Sequence, residues 1–191
     1  MRGLQIVFLL LSLSLLIFIG IFVLHGFSEN SLRLNIRASA RISFFIFCMA
    51  FSASSLQYFI KGQFTFWLLM NRKFFGITFA IIHLIHLCFL VILQLQFHPL
   101  FELADMTSLL GGGGAYVFVV LMLITSFEVV KSRISNQVWK IIHTIGGYWI
   151  AAVFLTSYGK RALIQWEYIP LLILLIVVLV LKSLKAFRIK G

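Results

Sequence analysis

Three histidines, His83, His86 and His143, lie inside long apolar runs of the chain. An ionisable side chain held in lipid is costly, so each needs a partner or a task. His83 and His86 are three residues apart and share one helix face. Gly76, seven residues before His83, lies on the same stripe. His143 is followed by Gly146 and Gly147 at the third and fourth positions and by Ala151 at the eighth. Neutral imidazole is a good axial ligand for haem iron, and two helices can clamp a haem with one histidine each. Glycine beside histidine leaves room for a flat macrocycle. Equally, small residues let helices pack closely while an imidazole hydrogen-bonds across the interface. The residues alone leave both readings open.

Other chemistries find no support in the residues. There is no serine–histidine–acid set, no paired-carboxylate site and no dinucleotide fingerprint. Gly111 to Gly114 are not a phosphate loop, because no Lys-Ser/Thr follows them; four glycines there favour a loose hinge. Cys48 and Cys88 both fall in apolar runs with no disulfide or zinc spacing, and read as buried thiols. His25 and His98 stand at run ends, where hydration explains them. If this chain moves electrons, another protein must supply them.

The elements that must carry these residues are membrane helices. The chain is 62% hydrophobic and only 11% charged over 191 residues, where a soluble domain is nearer half apolar and a quarter charged. A hydrocarbon core of about 30 Å takes roughly 20 apolar residues per helix. The runs predict six spans: about 4–24, 38–60, 74–95, 111–130, 138–158 and 168–184. The first is longer than a secretory signal and lacks a good cleavage site after it, so a retained helix is expected. Pro170 falls in the first turn of the last span, where proline is tolerated. Trp67, Trp139, Trp166 and Tyr168 lie near span ends, as interfacial anchors do. No internal repeat and no buried acid for ion coupling favours a transporter.

The net charge of +11 sits at the ends of the apolar runs and not on a basic face interleaved with aromatics, so it speaks for orientation and against nucleic acid. With the N-terminus inside, Arg2, Lys61, Arg72, Lys73, Lys131, Arg133, Lys140 and the tail bases Lys182, Lys185, Arg188 and Lys190 face the cytoplasm. Arg33, Arg37, Arg41, Lys160 and Arg161 face outward. The positive-inside rule thus puts both termini in the cytoplasm and the loop around Glu102 and Asp105 outside.

Short motifs add a resemblance. The run from Arg72 through Lys73, Phe74, Phe75, Gly76, Ile77, Thr78 and Phe79 to Ala80, with His86 ten residues after Gly76, resembles the third helix of the ferric reductase-like transmembrane family. That family includes STEAP metalloreductases, NADPH oxidases and MsrQ haem subunits. Trp139-Lys140-Ile141-Ile142-His143, with Tyr148 after it, is similar to the family's fifth-helix pattern, and Tyr158-Gly159-Lys160-Arg161-Ala162 to the stretch just beyond. The resemblance covers about residues 38–184. It implies one domain over residues 1–191, an all-α bundle of six transmembrane helices with cytoplasmic termini.

The resemblance also implies a function: a b-type-haem electron-transfer subunit of an inner, cell membrane, served by a cytoplasmic flavin-dependent reductase or other donor. His86 and His143 are the implied iron ligands, His83 the substitute, and Gly76 and Gly147 line the cofactor. The family's second fifth-helix histidine, thirteen residues after the first, corresponds to Thr156 here, and the inner partner of His143 to Arg72. One outer and one inner ligand thus survive without their partners, which implies at most one haem. Counted from Lys73 and Lys140, the two histidines differ by ten residues of depth, about 15 Å. The alternative is a haem-free relative serving as a structural or interaction subunit.

Overall fold

The computed structural model of the chain describes residues 3–97 and 106–190, of which 106–110 and 190 by backbone alone. Arg2, His98, Pro99, Glu102 and Asp105, and the outward loop expected around them, lie outside the described residues. The described chain is all helix: α1 (Gly3–His25), α2 (Glu29–Phe59), α3 (Gln63–Phe97), α4 (Met106–Ile124), the single turn α5 (Glu128–Lys131), α6 (Asn136–Ala162), a 3₁₀ turn at Trp166–Tyr168, and α7 (Ile169–Lys190). Five helices are long and apolar enough to cross a membrane: α1, α2, α3, α6 and α7 with its preceding turn. Among the residues of α4 whose side chains are described, Gly111–Ile124 forms a further apolar helical stretch. Large apolar side chains stay uncovered by protein, among them Phe8, Leu16, Val23 and Leu24 on α1 and Phe64 and Met70 on α3, as lipid-facing helices require.

The helix ends follow local chemistry. Gly26 takes a left-handed φ of 63° at the end of α1, a conformation open to glycine without steric cost. Ser28 then caps α2: its Oγ accepts the Ser31 amide at 3.2 Å while Ser31 Oγ accepts the Ser28 amide at 2.9 Å. This reciprocal cap starts α2 at Glu29, nine residues before the expected span, so Arg33, Asn35 and Arg37 belong to the helix and not to a loop. Ser135 caps α6 by accepting the Val138 amide.

Cross-helix contacts give the direction of each helix. Ser39 and Ser43 of α2 meet His86 and His83 of α3, so these two run antiparallel. Gly3 and Phe18 of α1 meet Phe74 and Phe89 of α3, a parallel pair. Gly111 of α4 lies by Trp149 and Thr125 by Trp139 of α6, so α4 returns against α6. Phe51 and Ser54 of α2 meet Lys182 and Lys185 of α7, a parallel pair. The helices α1, α3 and α6 therefore run one way, and α2, α4 and α7 the other. The closest packing is between α2 and α3, and the second between α4 and α6.

Several details correct the sequence reading. Gly111 to Gly114 are helical, not a hinge. Gly111 offers its carbonyl to Trp149 Nε1 at 3.2 Å, and a Cβ on Gly114 would meet the same indole at 3.0 Å, so Gly111 and Gly114 serve the α4–α6 contact, while Gly112 and Gly113 face open space. The fourth apolar run breaks at Ile124, and Glu128–Lys131 forms a separate turn. Cys48 is buried, but Cys88 is exposed. Tyr168 is not an interfacial anchor: it is buried between the guanidinium groups of Arg41 and Arg161. Gly146 and Gly147 do not pack directly on Gly76 of α3. Instead a Cβ on Gly146 would strike Met122 and Phe118 of α4, and one on Gly147 would strike Phe51 of α2.

Close approach at Gly146 generates a test. A Cβ there would stand 2.7 Å from Met122 Sδ and 3.1 Å from Phe118, whereas Gly113 faces open space. Gly146→Leu should destabilise the bundle by about 1–3 kcal/mol, and Gly113→Leu far less, read as thermal or denaturant midpoints in detergent. Equal midpoints for the two variants would remove the α4–α6 contact as the reason for this glycine.

Candidate functional site

The five residues that the sequence singles out divide between two places. His83 and His86 belong to the α2–α3 seam. Ser43 Oγ donates to the Ala40 carbonyl at 3.0 Å, so His83 Nδ1, 3.1 Å from that oxygen, is the donor to it. Ser39 Oγ likewise donates to the Asn35 carbonyl at 2.7 Å. His86 Nδ1 then donates toward Ser39 Oγ and the Ile36 carbonyl, at 3.0 and 3.1 Å. Both imidazoles are thus fixed with the proton on Nδ1 and the lone pair on Nε2. Their rings stack at 5.3 Å, and His83 also stacks on Phe79 and Tyr116 and abuts Phe154. His83 is buried in this stack.

Gly76, His143 and Gly147 lie elsewhere, on the wall of a cavity of about 560 Å³ between α2, α3, α4 and α6, with α5 and α7 at its edge. Within the volume range of sites for small molecules and cofactors, it has aromatic and apolar walls from Phe47, Phe51, Phe79, Val119, Trp139 and Tyr148. Gly76 leaves one side open, with no atom near the place of a Cβ. The rim is cationic: Arg72, Lys73, Lys131, Lys140 and Lys182 against the single acid Glu128. Glu128 is exposed, 3.0 Å from Lys73 Nζ and 3.9 Å from Lys131 Nζ. The hydrogen bond from Lys73 and the charge of Lys131 hold its carboxyl below the usual carboxylate range. Lys182 reaches in from α7, donating to the Phe51 carbonyl at 3.1 Å with its ammonium 3.9 Å from the centre of the Phe51 ring.

His143 is oriented on two sides. Trp139, one turn earlier, stacks on it at 4.3 Å. Thr125 Oγ1 donates to the Leu121 carbonyl at 2.7 Å and accepts from His143 Nε2 at 3.1 Å. The lone pair is therefore on Nδ1, the opposite tautomer from the seam histidines. Trp139 is itself tied by its Nε1, which donates to the Thr125 carbonyl.

A flat macrocycle with two carboxylates matches the aromatic walls, the open surface at Gly76 and the cationic rim, and finds one imidazole there. A bis-histidine axis finds no second histidine in the lining, and His86 is not part of it. Position 156, the register of the family's second fifth-helix histidine, is exposed, with Thr156 Oγ1 donating to the Val153 carbonyl. What faces His83 from α6 is Phe154. Among the described residues no three histidine, cysteine or acidic side chains come together as a metal-binding group. Sequence reasoning missed the seam hydroxyls, Thr125 and Lys182. The only local signal was the spacing of Ser31, Asn35, Ser39 and Ser43, four residues apart on one helix face. The chain matches no family model, no curated protein and no solved structure.

Removal of the two seam hydroxyls tests their role. Hydrogen bonds between membrane helices average about 0.6 kcal/mol each, so the double variant Ser39→Ala, Ser43→Ala should lose roughly 1 kcal/mol. Ser54→Ala, a control on the cavity wall, should lose less. An unaltered unfolding midpoint in the double variant would show that these serines do not anchor the histidines.

Proposed function

We propose that the chain is a membrane haem-binding electron-transfer subunit of ferric reductase-like type, holding one b-type haem in the cavity that His143 lines. One observation carries this reading: Gly76 of α3 and, far along the chain from it, His143 and Gly147 of α6 line one aromatic cavity rimmed with cations. His143 offers the imidazole, held by Trp139 and Thr125. With Nε2 bonded to Thr125, His143 would hold the iron through the lone pair on Nδ1. Arg72, Lys73, Lys140 and Lys182 neutralise the carboxylates. Phe47, Phe51, Phe79 and Tyr148 exclude water and lower the local dielectric. When bound, the haem supplies a one-electron carrier whose potential the surrounding ligands and burial set. The donor is a separate protein, a flavin-dependent reductase or its equivalent on the cytoplasmic side.

This reading includes six crossings with both termini in the cytoplasm of a bacterial inner membrane. Support comes from the return of α4 against α6 and from the charge asymmetry. Five crossings would put the termini on opposite sides; counting α4 as a crossing puts them on the same side. The cavity end carries the larger share of the bases, the side that the positive-inside rule assigns to the cytoplasm. A cysteine at Arg133 should resist a membrane-impermeant maleimide in intact cells while one at Leu163 reacts, in a Cys48→Ser, Cys88→Ser background. The reverse pattern would invert the topology, and reaction at both would break it.

A second reading, a haem-free structural or interaction subunit, is favoured by a different observation. His83 and His86 already have hydrogen-bonding partners on α2, so helix packing explains both. Protein purified from a haem-replete host separates the two readings. A Soret band is expected, of five-coordinate type that binds carbon monoxide readily, lost in His143→Ala and kept in His25→Ala. Loss in His86→Ala with retention in His143→Ala would move the ligand to α3. A wild-type protein free of haem would leave the haem-free subunit as the account.

A further inference from the structure

The end of the bundle opposite the cavity carries a second, smaller recess that the electron-transfer reading does not use. It encloses about 290 Å³ between the start of α2, the end of α3, the end of α6 and the 3₁₀ turn before α7. Three arginines line it, Arg33, Arg37 and Arg161, with Gln165 and Tyr168 beside them. Its remaining wall is aliphatic: Ile36, Leu90, Leu93 and Ile164.

The charge in this recess is only partly compensated among the described residues. Arg33 is paired with Glu29, at 2.6 Å. Arg161 donates to the neutral Tyr168 hydroxyl at 3.2 Å and stacks on that ring. Glu167, the other nearby acid, is engaged by Arg41. Arg37 has no ion-pair partner among the described residues. Guanidinium forks suit phosphate oxygens, which accept two parallel hydrogen bonds from each.

The aliphatic wall decides between a phosphate in water and one carried by a lipid. Ile164 and its neighbour Leu163 are 85% and 89% exposed, and Trp166 beside them is 77% exposed. An apolar edge next to a tryptophan at a helix end is the level of the membrane where headgroup meets acyl chain. A phosphate among the arginines then has its acyl chains directed along the half-buried Leu90 and the exposed Ile164. Basic recesses between membrane helices hold anionic headgroups in this manner.

We propose that this recess binds the phosphate of an anionic phospholipid, with Arg37 and Arg161 as its principal ligands. Arg33 supports them electrostatically through its shared charge with Glu29. The inference is independent of haem and of which face of the membrane the recess occupies.

Native mass spectrometry of the full chain, with phosphatidylglycerol and phosphatidylcholine of identical acyl chains as probes, tests it. Phosphatidylglycerol should bind about tenfold more tightly, with a raised unfolding midpoint. In Arg37→Gln, Arg161→Gln the preference should vanish, while Arg37→Lys, Arg161→Lys should keep part of it. Arg188→Gln, at the other end of the bundle, should keep all of it. Circular dichroism of the glutamine variant establishes that it is folded. If it fails to fold, the single variant Arg37→Gln, which removes the cation without an ion-pair partner, should show a reduced preference. Equal binding of the two lipids, or a preference unchanged in the folded glutamine variant, would overturn the proposal. Inorganic phosphate that competes away the lipid at millimolar concentration would overturn the lipid assignment in favour of a free anion.

Discussion

The bundle depends on the seam where the polar groups of α2 meet the histidines of α3. In lipid no water competes for polar groups, so each must find a protein partner. Ser39 and Ser43 supply such partners, and their own protons are already committed to the backbone one turn back. The serine can then only accept, and the imidazole is left only to donate. One pattern of hydrogen bonds thus fixes rotamer, tautomer and helix register together. A slide of α3 by one turn would strand both imidazoles in the membrane without partners. The close packing of α2 on α3 gives the other helices a frame: α1 leans on its α3 side, and α7 runs along α2.

The cavity is the complement of that seam. Where α2 and α3 hold together, side chains interlock; toward the basic end, α3 and α6 stand apart and Gly76 adds nothing to fill the gap. Phe51 wedges against Gly147 and stacks with Phe47, holding the wall open. The cations cluster at its rim because each can reach water or a helix carbonyl from there. Lys182 and Lys185 both do so, the latter donating to the Ser54 carbonyl at 2.9 Å.

Membrane class and the helical runs were legible because they rest on composition and local periodicity. Gly76, His143 and Gly147 could be picked out as belonging together, though not their arrangement, which is across a cavity and not in direct contact. The early start of α2 was harder. Ser39 and Ser43 look out of place in an apolar span until their partners on α3 are known, and those lie 47 and 40 residues further along the chain. Thr156 shows the same limit in reverse. A thirteen-residue offset from His143 names a position, but the face of α6 that position takes depends on how the helix is rolled. The buried stripe of Gly146, Gly147, Ile150, Ala151, Phe154 and Tyr158 turns it outward.

The lysines of α7 give the bundle a mechanical property. Lys182 and Lys185 are anchored to two backbone carbonyls nearly one turn apart on α2, and Lys182 and Phe51 are both part of the cavity wall. The last helix is in this way riveted to the wall at two points. A push or twist applied to its far end is transmitted to Phe51 and, through the aromatic wedge, to Gly147 on the opposite side. Whatever grips α7 beyond Lys185 has a lever on the shape of the chamber without touching its contents.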